Sequence, residues 1–236
     1  MYNNRKTAAT ATPFQTARNF AVWSDTADLK SLILNGNQIA QRKDKSGSGN
    51  HQIQAISGQQ PILSGIEAIF DGNSDNLRMS HQSSLNLANE FTFFSVFRLR
   101  NSPNRGYFFQ KGGYTAAIAA TASVIGDISV DQTGVGIIAL TDAVVNIDKL
   151  SILTVVRSDN FVQIRLDGQN VNIPYYADFV AGNNAAAVGI GANTEGTAVF
   201  FSGNLNSEIL VARRLSEYQI KKIENFLKLR YKVQFF

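Results

Sequence analysis

Few residues in this sequence are able to do chemistry, and their spacing argues against most reactions. A retaining glycosidase needs two carboxylates close together, which a strand supplies most simply at alternate positions on one face. The glutamates stand at 67, 90, 195, 208, 217 and 224, and none has an aspartate two residues later. Catalysis through a serine–histidine arrangement would have to use His51 or His81, the only histidines. His51 closes a polar loop and reads as the start of a strand. Cysteine is absent, so the chain offers no disulfide, thiolate nucleophile or cysteine metal site. These absences predict a protein that is not an enzyme.

Binding chemistry is better represented. Asp71, Asn73 and Asp75 offer oxygen ligands at alternate positions, as calcium loops do. Position 82, where the bidentate glutamate of an EF-hand loop would fall, is Gln82. The same residues suit an Asx turn after a strand. Calcium is therefore the one cofactor considered, and none is required. A glycan contact asks for an exposed aromatic face beside fixed polar groups. Tyr175 and Tyr176, after Pro174 and near Asp178, meet that description; Tyr114 and Tyr107 come second.

The elements that must position these residues are mostly strands. Hydrophobic residues make up 44% of the 236 positions and include 16 Phe, enough for a sizeable core, while charged residues are only 17%. Residues 20–23, 38–44 and 51–55 read as strands, the last alternating polar and apolar as a half-buried strand should. Between the first two lies a polar stretch with some helical character that ends at Asn35-Gly36, a turn dipeptide. Residues 91–99 and 151–157 are apolar on both faces and suit strands packed between two layers. Residues 161–166 alternate cleanly and turn through Asp167-Gly168, a hairpin signal. Further strands are expected at 107–111, 115–120, 136–140, 185–190, 199–201 and 205–212.

One helix is expected, over residues 216–232. Ser216 and Gln219 have the spacing of a capping box, flanked by Leu215 and Ile220 as a hydrophobic staple. Ile220, Ile223, Leu227 and Tyr231 then recur at helical intervals. The net charge of +4 is concentrated here. Residues 213–232 hold seven basic residues against Glu217 and Glu224, so the remainder is close to neutral. Charge confined to one helix face, without aromatic stacking platforms, argues against a nucleic-acid partner. Residues 1–15 are polar and read as a flexible arm, with residues 16–236 forming one domain. No apolar run reaches the length of a membrane span or a signal-peptide core, so neither membrane insertion nor signal-directed export is expected.

Several of these segments, in order, resemble the laminin-G/concanavalin A-like superfamily. The carrying residues are Trp23 to Asp25, Asp44-Lys45-Ser46-Gly47-Ser48-Gly49-Asn50-His51, and Phe70-Asp71-Gly72 with Asp75-Asn76-Leu77. In the second half they are Leu166-Asp167-Gly168, Gly189-Ile190-Gly191, Phe201-Ser202-Gly203-Asn204-Leu205 with Glu208-Ile209, and Arg214-Leu215-Ser216 before the helix. The resemblance implies an all-β fold, a two-sheet antiparallel jelly-roll sandwich, here with a C-terminal α-helix. Its catalytic families write their carboxylates as Glu-x-Asp-x-x-Glu, which this chain lacks. The likeness is to bacterial and bacteriophage members. It implies a structural or display protein of a phage virion (capsid, head fibre or tail), partnered by other virion proteins or copies of itself, with host surface polysaccharide as a further contact. The alternative is an extracellular, lectin-like bacterial module.

Overall fold

The computed structural model describes residues 20–87, 90–100, 104–112, 116–120, 127–132, 136–141, 145–158, 161–171 and 185–235. The expected arm over residues 1–15 lies outside them.

Among the described residues seventeen strands, every pair antiparallel, form two stacked layers. The first layer is built from β1 (Phe20–Asp25), β8 (Phe91–Leu99), β13 (Leu150–Ser158), β14 (Phe161–Leu166), β15 (Gln169–Asn170) and β17 (Ser202–Val211). Its order is β15-β14-β13-β8-β17-β1. The second contains β2 (Leu32–Asn35), β3 (Gln38–Arg42), β4 (Gln52–Ile53), β7 (Leu77–Met79), β9 (Gly106–Lys111), β10 (Ala116–Ala120), β11 (Ile128–Gln132), β12 (Gly136–Leu140) and β16 (Val188–Ile190). It runs β2-β3-β4-β7-β16-β9-β10-β11-β12. The short strands β5 (Ile62–Ser64) and β6 (Glu67–Asp71) connect the layers, because β5 pairs with β3 and β6 with β17. This is the expected all-β jelly-roll sandwich.

The layers are held together by aromatic residues facing inward. Phe93 and Phe97 from β8 meet Phe109 and Phe108 from β9, with ring centroids 5.4 and 4.9 Å apart. Phe108 also packs on Phe201 at 4.8 Å. Full burial of such a side chain contributes about 1.5–3 kcal/mol, and edge-to-face contact adds to it.

The opposite face of β8 is buried too. Phe94 and Val96, with Ile152, Val156, Ile209 and Val211, receive Ile220, Ile223, Leu227 and Tyr231 from helix α1 (Glu217–Tyr231). The helix begins as its sequence predicts: Ser216 Oγ accepts from Gln219 N, and Gln219 Oε1 accepts from Ser216 N. The first layer is thus covered on both sides, whereas among the described residues no helix lies over the outer face of the second layer.

Three sequence expectations are corrected. The stretch before Asn35 is one 3-10 turn, Leu29–Ser31, followed by β2. The strand expected at 185–190 is confined to Val188–Ile190. No strand forms at 199–201, because Val199 takes a positive φ of 57° and interrupts the extended backbone. Its carbonyl accepts from Tyr107 N at 3.1 Å, and Phe201 N donates to Gly191 O at 2.8 Å. Four further strands, β2, β5, β7 and β11, were not legible individually.

Candidate functional site

The site begins with a charge buried between the sheets. A register shift in the β2–β3 pair turns Arg42 inward opposite Leu32, while Gln41 stays opposite Ile33. Arg42 is fully buried and lies 3.0 Å from the carboxylate of Glu208, which projects inward from β17. Arg42 Nη1 also donates to Leu205 O at 2.8 Å. Burial pulls the Arg42 guanidinium below its ordinary pKa, and the Glu208 carboxylate opposes that. Two more polar groups complete the site: Ser24 Oγ donates to Glu208, and Gln52 Nε2 does so at 3.3 Å.

That pair decides which way β4 faces. An alternating segment ordinarily turns its apolar residues to the core, which would bury Ile53. The sense is inverted. Gln52 points inward to Glu208, and Gln54 is buried with Nε2 donating to Asn76 Oδ1 at 2.8 Å. Ile53 is left outside at 47% exposure. It is the cross-strand partner of both Gln41 and Arg78, and Gln41 is that of Ile33. Ile33, Gln41, Ile53 and Arg78 therefore form one row on the open face, successive Cβ atoms about 5 Å apart.

Beside this row opens a pocket of about 600 Å³ between residues 49–56 and residues 78–82, closed at one point by Ala187. Its apolar wall is Ile53, Met79 and Ile56, the last 59% exposed. Its polar lining is Asn50, His51, Gln54, Arg78, Ser80 and Gln82; among the described residues no aspartate or glutamate lines it. The volume falls within the usual range for small-molecule sites, and the lining is more polar than most.

The loop forming one wall is fixed by Asp44. Its Oδ1 accepts from Trp23 N and Ser46 N, both at 2.9 Å, and its Oδ2 from Ser46 Oγ at 2.7 Å and Asn50 N at 3.1 Å. Asp44 N donates to His51 Nδ1 at 2.9 Å, which leaves the ring proton of neutral His51 on Nε2. Asn50 Nδ2 donates to Ala21 O at 2.6 Å and Ser84 Oγ at 2.8 Å. A loop so tied presents its lining in one conformation, the preorganisation that lowers the cost of binding.

The residues expected from sequence to bind are distributed differently. Asp71 and Asp75 come together as a self-satisfied turn. Asp71 Oδ1 accepts from the backbone N–H groups of Asn73, Ser74 and Asp75 at 2.9, 2.8 and 2.9 Å, and Asp71 N donates to Asp75 Oδ2 at 3.0 Å. Burial raises the Asp75 carboxyl to about 7, with the neighbouring Asp71 charge adding to it. Burial also acts on Asp71, but its backbone donors outweigh it and hold that carboxyl below its ordinary value. Among the described residues no group of three or more His, Asp or Glu side chains could hold a metal ion. Tyr114, Tyr175, Tyr176 and Asp178 lie outside the described residues.

Two further glutamates are held in ion pairs. Glu224 is buried under α1 against Arg165 at 2.9 Å, and Glu67 holds Arg98 at 2.9 Å. Behind the pocket, Lys111 Nζ donates to Ala186 O at 2.9 Å and stands 3.5 Å from His81 Nδ1; burial lowers its pKa. Sequence reasoning singled out neither Arg78 nor Gln82 as part of a pocket. Arg78 is a lone arginine in a three-residue strand, and nothing local sets it apart.

No protein-family model matches the chain, and no curated protein sequence matches it. Solved structures do resemble it. A sialidase of Trypanosoma rangeli superposes with a TM-score of 0.67 at 11% identity, over 91% of this chain and 34% of the sialidase chain. The same enzyme has been solved in complex with sialic acid. The binding domain of botulinum neurotoxin serotype D gives 0.63 at 10% identity, over 89% of this chain and 52% of that one. The botulinum neurotoxin DC binding domain, in complex with SialylT, gives the same values. The chain thus spans a third to a half of these proteins, and at such identities the likeness is one of fold: a concanavalin-like β-sandwich. Among the described residues no helix is long and apolar enough to cross a membrane.

Proposed function

We propose that the chain is a non-catalytic recognition domain that holds saccharide in the pocket between residues 49–56 and 78–82. The observation that carries this reading is the inverted strand β4, which turns polar Gln52 and Gln54 inward and leaves Ile53 to wall a preformed pocket. A sugar offers C–H faces to an apolar wall and hydroxyls to polar groups. Ile53 and Ile56 supply the first, and Asn50, His51, Ser80 and Gln82 the second. Among the described residues the lining holds no carboxylate, whereas glycoside cleavage requires an acid and a nucleophile, and this favours a binding role. The sialic acid and SialylT complexes of structural neighbours add support at the level of fold.

Calorimetry against a glycan panel tests it. At least one glycan should bind wild type, and Ile53→Asp should abolish that binding without lowering thermal stability, since Ile53 is outside the core. A panel with no binder would overturn the reading.

The resemblance to phage members suggests the setting: display on a virion, among other virion proteins or copies of the chain itself. Mass spectrometry of purified particles should find it there. Its absence from particles, with glycan binding intact, would favour the extracellular bacterial lectin instead.

A further inference from the structure

Resting on the saccharide reading above, we infer that the ligand of this pocket carries a carboxylate, and that Arg78 receives it. Among the described residues five arginines, Arg42, Arg98, Arg105, Arg165 and Arg230, each meet a carboxylate: Glu208, Glu67, Asp131, Glu224 and Asp25 respectively. Arg100, Arg213 and Arg214 form no ion pair there, but none of them lines the pocket. Arg78 makes no ion pair among the described residues. It lies exposed on the outer face of β7, and it lines the pocket.

Its surroundings make it a directed cation. On one side its cross-strand partner is Ile53, an apolar wall that cannot solvate or neutralise it. On the other its partner is Gly189, where a Cβ would stand 2.5 Å from Asn193 O, so the segment after β16 closes that flank. Among the described residues no acidic side chain lines the pocket to compete for the guanidinium.

A second positive group lies beneath. Lys111, Val188 and Met79 are successive cross-strand partners on the inner face, and Met79 lines the pocket. Lys111 Nζ caps Ala186 O, next to the pocket residue Ala187, and meets no carboxylate among the described residues. Arg78 is thus the one arginine or lysine among the described residues that line the pocket.

A guanidinium is a planar fork of donors that matches a carboxylate through two parallel hydrogen bonds, and a carboxylate is the anion that sugar rings most simply carry. The ligand class is thus an acidic sugar, either a hexuronate or a sialic-acid-type residue. Its carboxylate would meet Arg78 while its ring lies along Ile53 and Ile56.

The test is calorimetry on the full chain with matched ligand pairs. Glucuronate oligosaccharides are compared with their carboxyl-reduced counterparts, and sialyllactose with lactose; a sulfated oligosaccharide forms a fifth arm. At least one acidic ligand should bind about 10- to 100-fold more tightly than its neutral partner, as the loss of one charged hydrogen-bonded contact implies. Arg78→Gln should erase that preference, and Arg78→Lys should retain part of it. Whichever pair shows the preference identifies the source of the carboxylate.

Equal affinity for acidic and neutral partners in wild type would overturn the inference and leave the saccharide reading standing, and this arm needs no variant to fold. So would an acid preference that survives Arg78→Gln, or a sulfated ligand bound as tightly as a carboxylated one. Absence of binding to every sugar would sink both.

Discussion

Removing the Glu208 carboxylate while leaving Arg42 in place should destabilise the protein severely, and removing both should be milder. Arg42 and Glu208 are 0% and 1% exposed, so neither charge can turn to water once its partner is gone. Breaking a buried pair from one side costs about 3–5 kcal/mol, because the remaining charge stays desolvated. In Glu208→Leu the Arg42 guanidinium keeps only Leu205 O as acceptor. Gln52 Nε2 and Ser24 Oγ lose their acceptor as well, and each orphaned donor costs about 1–3 kcal/mol. Arg42→Met combined with Glu208→Leu removes the uncompensated charge and leaves only those two neutral donors. The double variant should therefore be more stable than Glu208→Leu alone by about 2 kcal/mol or more. Urea unfolding followed by fluorescence of Trp23, the only tryptophan, reads this directly, since ΔG falls linearly with denaturant. Trp23 stacks edge-on against Phe226 of α1 at 6.1 Å, so its signal reports the docked helix. Two results would refute the reasoning: a Glu208→Leu cost below about 1 kcal/mol, or a double variant no more stable than the single one.

Three further outcomes follow from the same geometry. The Asp75 carboxyl, at about 7 in the folded protein against 3.8 ordinarily, keeps its proton where the unfolded chain has released it, so stability falls as pH rises through that interval. Asp75→Asn cannot ionise and should gain on wild type, by on the order of 1 kcal/mol, between about pH 4 and about pH 8; parallel urea titrations check this, and an unchanged difference contradicts it. Because Asp71 Oδ1 is occupied by three backbone N–H groups, millimolar calcium should leave the melting temperature where chelator leaves it, and a rise of several degrees would restore a calcium role for Asp71, Asn73 and Asp75. Ser216→Ala removes the capping hydroxyl of α1 and should cost about 1 kcal/mol, with helix-monitored and Trp23-monitored unfolding remaining coincident.

What was legible in the sequence is what local chemistry decides. The helix start depends on Ser216, Gln219 and the apolar residues within one turn of them, all adjacent in the chain. The hairpin of β14 and β15 depends on Asp167 and Gly168, which take the positive φ values of 48° and 82° that a tight turn demands. The doubly buried strands β8 and β13 declared themselves by apolar runs with no polar side. What could not be read depends on distant partners or on a single dihedral. Val199 gives no sign of its left-handed conformation. Arg42 looks like a surface residue until Glu208, 166 positions away, is set opposite it.

The orientation of β4 shows why the candidate site in particular escaped. Gln52-Ile53-Gln54 alternates, and alternation fixes that its residues divide between two faces without fixing which face is which. Hydrophobic burial alone would turn Ile53 inward, worth about 1.5–3 kcal/mol for a side chain of that size. That inward orientation would leave the Glu208 carboxylate without its Gln52 donor and expose Gln54 away from Asn76. Unsatisfied buried groups of this kind cost about 1–3 kcal/mol each and more when charged, so the polar terms exceed the apolar one and the strand inverts. The exposed isoleucine at the pocket wall is thus a consequence of the charge buried beneath it. Replacing Arg42, Gln52 and Glu208 together by apolar residues should remove the reason for the inversion. Saccharide binding should then be lost even though no pocket-lining residue has been changed.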